Sequence, residues 1–106
     1  MFSSESIMIK KNQFEEAAYI LKAISNEMRI SILVRLCCVS ERSVSDLMKE
    51  LDCEQSLLSH HLTDMRAKGI LSCRRSGRFC FYSIKNQKVR DLLECMFREN
   101  LKTENR

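Results

Sequence analysis

The segment Ser43–Ile84 reads SVSDLMKELDCEQSLLSHHLTDMRAKGILSCRRSGRFCFYSI, and it decides the fold. It opens with Ser43 and Asp46, whose spacing is that of a capping box at the start of a short helix. Asp52-Cys53-Glu54 predicts a tight turn, and a second helix is expected over residues 55–68. The inward-facing side chains of this second helix are predicted to be Leu58, Leu62 and Met65. Two short helices joined by such a turn form a helix-turn-helix.

The end of the same segment predicts a β-hairpin over residues 70–84. Its sequence, ILSCRRSGRFCFYSI, alternates and is rich in aromatic and β-branched residues, which favour strands. Ser76-Gly77 is expected to form a two-residue turn, and that register pairs Arg75 with Arg78. Because the basic hairpin directly follows a helix-turn-helix, we predict a winged helix in which the hairpin is the wing.

Apolar residues at spacings of three and four predict further helices on both sides of this segment. The first runs from Gln13 to Ile24, and Ser25 or Asn26 is expected to cap the next one. The last helix is expected from Lys88 to Leu101. The predicted fold class is therefore mainly α with a small β-hairpin, in the order α-α-α-α-β-β-α.

One domain accounts for the whole length of 106 residues. We expect a single winged-helix domain over residues 13–101, with flexible tails at 1–12 and 102–106. A chain this small buries a modest share of its apolar surface, so a second subunit is a natural partner. No apolar run is long enough to cross a membrane and no signal-peptide pattern is visible, so we expect a cytoplasmic protein.

Positive charge is concentrated in one part of the chain. The net charge is +4, while residues 54–84 alone carry five basic and two acidic side chains, a balance of +3. A basic segment of this kind is typical of a surface that binds a polyanion such as DNA.

Two adjacent histidines, His60 and His61, lie in the predicted second helix of the helix-turn-helix with cysteines not far away, which raises the question of a metal site. Neighbouring residues on a helix point about 100° apart, so one ion cannot easily bind both side chains. The usual zinc spacing of two histidines separated by three to five residues is also absent. We predict instead that His60 faces DNA and that His61 lies at the packing edge of the helix.

The order of these motifs resembles the ArsR/SmtB family of bacterial winged-helix repressors over residues 21–84. The segment LKAISNEMRISILVRL is similar to the family's second helix, SVSDLMKEL to its third, SLLSHHLTDMRAKGIL to its reading helix and RRSGRFCFYSI to its wing. The resemblance implies a homodimer that binds a palindromic or near-palindromic operator and is released when an inducer binds.

In such a protein, helix 55–68 reads DNA with its N-terminal residues, while wing 70–84 contacts phosphates or the minor groove. The residues predicted to contact DNA are Gln55, Ser56, Leu57, Ser59, His60, Arg74, Arg75 and Arg78. The alternative role of Ser56 is a helix cap, and that of the arginines is a solvated hairpin tip.

The metal sites that the family implies are not matched here. Ser43-Val44-Ser45 stands where one site needs two cysteines, and hydroxyls do not replace thiolates for soft ions. The last helix offers Asp91, Glu94 and Glu99 without a histidine, so a zinc site there is not expected. NEMRISIL and FYSIKNQKV are similar to the BigR-like thiol-sensing branch. The cysteine positions of that branch fall on Val34 and Leu101, however.

The chain's own cysteines leave several interpretations open. Adjacent Cys37 and Cys38 would chelate a soft ion such as As(III) with a third thiol, for which Cys95 is the candidate. In the expected wing register Cys73 lies directly opposite Cys80, near disulfide distance. Cys53 precedes the N-terminus of a helix, which would lower its pKa if it were exposed. Each cysteine can instead be a small buried apolar residue.

The sequence thus predicts a homodimeric DNA-binding repressor that pairs through its first and last helices and responds to an inducer at cysteine thiols. It does not predict an enzyme, because no nucleophile, base and orienting group occur together. The alternatives are a winged-helix module that binds protein, and a constitutive DNA-binding regulator whose cysteines are structural.

Overall fold

The computed structural model describes residues 9–104, with side chains up to residue 101. Within that range the helices and strands are, in chain order, α1 (Lys11–Ile24), α2 (Glu27–Cys38), β1 (Arg42–Ser43), α3 (Val44–Leu51), α4 (Gln55–Ala67), β2 (Leu71–Ser76), β3 (Phe79–Ile84), α5 (Gln87–Met96) and α6 (Arg98–Glu104). The predicted class, mainly helical with a small hairpin, is confirmed. Most of the expected N-terminal tail lies outside the described residues, and α1 begins two residues before Gln13.

Side-chain caps fix where the helices begin. Asn26, not Ser25, caps α2, and its side chain accepts a hydrogen bond from the backbone N–H of Arg29 at 3.1 Å. The predicted capping box of α3 is present, with Ser43 and Asp46 each accepting from the other's backbone N–H. These local bonds satisfy helix N–H groups that have no partner within the helix.

The helices and the sheet enclose one core. Its fully buried members come from α2, α3, α4, β2 and α5 and from the turn between α4 and β2: Ile32, Leu33, Leu36, Leu47, Leu58, Leu62, Met65, Ile70, Leu71, Val89 and Leu93. The three predicted inward residues of the second helix of the helix-turn-helix are among them. None of the helices in residues 9–104 is long and apolar enough to span a membrane.

The sheet has a third strand, β1, which was not predicted from the sequence. β1 pairs antiparallel with β3, so the order of the strands is β1-β3-β2 and the wing is attached along one edge. A strand of two residues shows no alternation of apolar and polar side chains, and therefore gives no sequence signal.

The turn of the wing differs from the prediction by one residue. Ser76 pairs with Phe79, so the loop is Gly77-Arg78 and not Ser76-Gly77. The backbone of Gly77 has a φ of +60°, which glycine adopts without cost and which suits the first position of a two-residue hairpin loop. The expected pairing of Arg75 with Arg78 is therefore wrong, and Arg75 lies opposite Cys80.

The single last helix predicted from Lys88 to Leu101 is divided in two. α5 ends at Met96, Phe97 leaves the helical conformation with φ −116° and ψ 28°, and α6 follows. A straight helix would point Leu101 about 80° away from Leu93, because residues advance by about 100° each. The break lets Phe97 pack against the core and buries Leu101, while Met96 is left exposed.

Candidate nucleic-acid interface

The N-terminal turn of α4 presents polar side chains to solvent. Gln55, Ser56 and His60 are exposed, Leu57 is 47% exposed, and Ser59 is half-buried. They lie on the outer side because Leu58, Leu62 and Met65 hold the inner side of α4 in the core. The structure therefore leaves the predicted DNA-reading residues of α4 available to a partner.

Glu54 caps this helix, a role that the sequence analysis left open for Ser56. The Glu54 carboxylate accepts hydrogen bonds from the Ser56 hydroxyl and from the backbone N–H of Leu57. The Ser56 hydrogen bond, followed by that of Leu57, lowers the pKa of Glu54. Because glutamate is a less common cap than serine, threonine, aspartate or asparagine, the pattern did not point to it.

His61 is buried and takes part in a polar cluster inside the protein. Its Nδ1 accepts a hydrogen bond from Arg29 Nε at 2.9 Å. Nη1 of the same guanidinium donates to Asp64 Oδ2 at 2.6 Å and to the carbonyl oxygen of Ala23 at 2.9 Å. The cluster thus joins the end of α1, the start of α2 and the middle of α4.

The expected placement of the histidines agrees with this geometry, since His61 lies at the packing edge of α4 while His60 is exposed. Burial, followed by the nearby charge of Arg29, lowers the pKa of His61. Arg29 was not among the predicted functional residues. Only its place in the quoted segment NEMRIS hinted at it, because nothing in the sequence shows that its partners lie more than 30 residues away.

A cleft joins the start of α4 to the tip of the wing. Its volume is about 310 Å³. Its lining residues are Ser43, Val44, Ser45, Met48, Gln55, Arg78, Phe79 and Cys80. Gln55 and Arg78, which are 23 positions apart in the sequence, therefore face one space. We call the start of α4 (residues 55–60), the wing tip (residues 74–79) and the cleft between them the α4–wing surface.

The three wing arginines lie in different surroundings. Arg74 Nη2 is 2.6 Å from Glu41 Oε1, and its guanidinium carbon lies 4.8 Å from the ring centroid of Phe81. The hydrogen bond between the two side chains lowers the pKa of Glu41. Arg75 alternates to the opposite face of β2, and Arg78 lies in the exposed loop. Arg74 would have to share or leave Glu41 in order to contact DNA.

Cys73 and Cys80 form a disulfide across the wing, with their Cα atoms 6.0 Å apart. The expected direct opposition of the two residues is wrong, because Cys73 lies opposite Tyr82. Moving the two-residue turn by one position shifts the pairing of the strands by two residues. Because side chains alternate between the faces with a period of two, Cys73 and Cys80 still lie on the same face, now as diagonal neighbours. That distance lies within the usual range for a disulfide.

The other predicted thiol site is not assembled within one chain. Cys37 and Cys38 are half-buried at the end of α2, and Cys95 is exposed on α5. Across the part of the chain that the structure describes, no group of three or more His, Cys, Asp or Glu side chains is placed to hold a metal ion. Burial raises the pKa of Cys37. Cys38 instead lines a separate groove of about 560 Å³ between α2, α3 and Phe97.

Residues 26–72 match the family model described as bacterial regulatory protein, arsR family. The transcriptional activator HlyU of Vibrio cholerae is 35% identical over 83 residues, which cover 78% of this chain and 76% of HlyU. The chain belongs to the ArsR family.

Several transcriptional regulators are similar to this chain in sequence or in fold. The solved structure of V. cholerae HlyU superposes with a TM-score of 0.77 at 34% identity, covering 85% of this chain and 96% of HlyU. That of the transcriptional repressor PagR of Bacillus anthracis gives 0.76 at 31% identity, covering 82% and 99%. The arsenical resistance operon repressor of Bacillus subtilis is 28% identical over 82 residues, 74% of this chain and 78% of its own.

Membership of the ArsR family gives the chain its general function. It is a winged-helix, DNA-binding transcriptional regulator and not an enzyme. The family model ends at residue 72, so it includes the helix-turn-helix but not the tip of the wing.

The lowered pKa of His61 predicts how stability depends on pH. In the unfolded chain a histidine with a pKa of about 6.5 takes up a proton at a pH where the folded protein does not. Stability should therefore be full above pH 6.5 and fall as the pH is lowered from there, by at most about 1.4 kcal/mol per pH unit. Urea unfolding at fixed protein concentration between pH 7.5 and 5.5 measures this dependence.

The neighbouring histidine supplies a matched control. His61→Asn keeps an acceptor near Arg29 without a group that titrates in this range, so the pH dependence should become flatter. His60→Gln changes an exposed side chain and should keep most of the wild-type dependence, because burial and the charge of Arg29 are the larger causes of the lowered pKa of His61. Equal pH dependence in the two variants would contradict the assignment to His61.

Proposed function

We propose that the chain is a homodimeric repressor that reads an operator with helix 55–68 and wing 70–84. The observation that carries the proposal is the α4–wing surface, in which Gln55 of the reading helix and Arg78 of the wing tip face one cleft. A helix in the major groove and a wing on the adjacent backbone must reach the same duplex together. Similar proteins act in both directions, since HlyU is named an activator and PagR a repressor. That this chain represses transcription is therefore part of the proposal.

The side chains of this surface suit separate roles on DNA. Gln55 can pair with an adenine edge through two hydrogen bonds, and the exposed Leu57 can contact a thymine methyl group. Ser56, Ser59 and His60 suit phosphates or base edges. Arg75 and Arg78 supply wing cations, while Arg74 is the weaker candidate because Glu41 already neutralises it.

We infer the dimer from an apolar face that this chain leaves uncovered. In α1 the side chains of Phe14 and Leu21 are 56% and 52% exposed, and they lie seven residues apart on one side of the helix. Met96 at the end of α5 is 63% exposed. Two copies that pack through their first and last helices would bury these groups, in keeping with the predicted interface.

The inducer is proposed to act on cysteine thiols. One candidate is a soft metalloid ion such as As(III), bound by the thiolates of Cys37 and Cys38. Because the described residues of one chain offer no group of three ligands, the third ligand would have to come from elsewhere, such as the partner subunit. The likeness to the arsenical resistance operon repressor of B. subtilis supports that class of inducer. The second candidate pair is Cys73 and Cys80, which lies on the wing itself.

Removing a wing arginine should weaken DNA binding and its dependence on salt. Each phosphate contact releases counterions, so Arg75→Ala and Arg78→Ala should each lower the slope of log K against log salt by about 1 per protomer. The slope is measured by fluorescence anisotropy with a duplex that carries the promoter of the protein's own operon. Binding to unrelated duplexes should weaken to a similar extent, because phosphates carry no sequence information.

The control has the same change in charge at a distant place. Lys85→Ala removes an exposed cation from the connector between β3 and α5, outside both the α4–wing surface and the helices proposed to form the dimer, and should leave the slope unchanged. A slope that is unaltered in both wing variants would remove the wing from the interface. A docking module for acidic proteins would show no salt-dependent binding to any duplex.

Disrupting the face of α1 should separate the subunits. In Phe14→Ser/Leu21→Ser each truncation costs about 1–2 kcal/mol at an interface core, and a homodimer carries four of them, so dimer affinity should fall by about a thousandfold or more. Sedimentation equilibrium over a dilution series measures this change. Leu57→Ser, which alters an exposed apolar residue of α4, should leave the dimer intact. A stable monomer with full operator affinity would refute the proposed dimer.

A further inference from the structure

We propose that the Cys73–Cys80 pair is a reversible redox site in the wing, and that forming its disulfide strengthens DNA binding. The proposal rests on the proposed function, because it needs the α4–wing surface to be the surface that binds DNA. Three observations support it: the disulfide lies where the exposed tip begins, it closes a loop that contains Arg75 and Arg78, and Cys80 lines the cleft at the start of α4.

The disulfide lies at the boundary between the anchored and the free part of the wing. Below it, Leu71 and Tyr82 are 1% and 7% exposed and pack in the core. Beyond it, the segment 74–79 is exposed throughout. Cys73 and Cys80 themselves are half-buried and pack against the edge of the core. The bond is therefore the covalent connection between the strands that lies where the exposed tip begins.

The bond closes a short covalent loop that contains the wing cations. Seven positions separate the two cysteines, and Arg75 and Arg78 lie between them. Without the bond, the tip is held by backbone hydrogen bonds of a two-stranded ribbon that is exposed to solvent, and such ribbons are marginally stable on their own. Cross-linking β2 to β3 at this point limits the number of positions that the two arginines can adopt.

One end of the same bond lines the cleft that the start of α4 also lines. Cys80 lines the cleft together with Gln55, Arg78 and Phe79. A change in the position of Cys80 therefore alters the spacing between the wing tip and the start of α4. Because both elements must fit one duplex, the redox state of this pair acts directly on the DNA-binding geometry and needs no signal through the core.

The geometry distinguishes this pair from the other cysteines. Cys37 and Cys38 are neighbours on α2, and a disulfide between adjacent residues is strained. Burial also raises the pKa of Cys37, which reduces the fraction of reactive thiolate. Cys53 and Cys95 are free thiols in the structure. Within the described residues only Cys73 and Cys80 are joined.

The chemistry is thiol–disulfide exchange with a small disulfide such as that of glutathione. One wing thiolate attacks a sulfur of the small disulfide, forming a mixed disulfide and releasing one small thiolate. The second wing thiolate then attacks the protein sulfur of the mixed disulfide and releases the other small thiolate. Two electrons pass from the wing to the small disulfide, which becomes two thiols, and a dithiol reductant reverses the reaction.

Operator binding by the full-length chain under controlled redox conditions tests the proposal. The protein is equilibrated with reduced or oxidised glutathione and titrated against its promoter duplex at one fixed salt concentration. The oxidised form should bind about 3- to 10-fold more tightly, because a preorganised wing loses less conformational freedom on binding. Mass spectrometry after alkylation reports whether the Cys73–Cys80 bond is formed in each sample.

Two double variants assign the effect to a site. Cys73→Ser/Cys80→Ser should bind with the affinity of the reduced wild type under both conditions. Cys37→Ser/Cys38→Ser should keep the wild-type difference. Because the wild type is compared with itself, the test holds even if the wing variant folds poorly.

The possible results separate this proposal from the proposed function. Equal affinity of the two wild-type forms, with the bond shown to form, overturns the redox site while leaving DNA reading intact. Tighter binding by the reduced form overturns the proposed direction, and loss of the response in Cys37→Ser/Cys38→Ser moves the sensor to α2. Failure of every form to bind DNA in an Arg78-dependent way would instead reject the α4–wing surface itself.

Discussion

The hydrogen bonds donated by the partly buried guanidinium of Arg29 hold α4 in its place against α1 and α2. Only 12% of the Arg29 side chain is exposed, so its N–H groups require acceptors within the protein. They find the Ala23 carbonyl at the end of α1, and His61 and Asp64 on α4. His61 can accept this hydrogen bond only when its Nδ1 carries no proton. The neutral state of one histidine is therefore coupled to the orientation of α4, the helix proposed to read DNA.

The features that could be predicted correctly from the sequence depend on residues close to one another in the chain. The capping box of Ser43 and Asp46 and the inner face of α4 each depend on residues within a few turns of one helix. Such features follow from a helical period of 3.6 residues and from unpaired N–H groups. Four helices, the hairpin and the outward position of the reading residues could accordingly be predicted without coordinates.

What the sequence could not supply was decided by long-range contacts or by backbone geometry. The two-residue strand β1 exists only because β3 is there to pair with it. Phe97 ends α5 because the break lets both it and Leu101 contact the core. The first residue of the two-residue wing loop has a positive φ, which favours glycine at that position. Gly77 is therefore the first residue of the loop and Arg78 the second. Arg29 had no local signal beyond its place in the segment NEMRIS, because its partners lie more than 30 positions away.

The corrected wing register explains how one short hairpin can serve two purposes. Adjacent strand residues point to opposite faces, so Arg74 and Arg75 cannot share a role. Arg74 lies on the face of Phe81 and is held by Glu41, where it fastens the hairpin to the segment before β1. Arg75 shares its face with Cys73 and Cys80, and Cys80 lines the cleft that Gln55 of α4 also lines. Structural charge is thereby kept on one face, while the disulfide and the cations proposed to bind DNA occupy the other face and the tip.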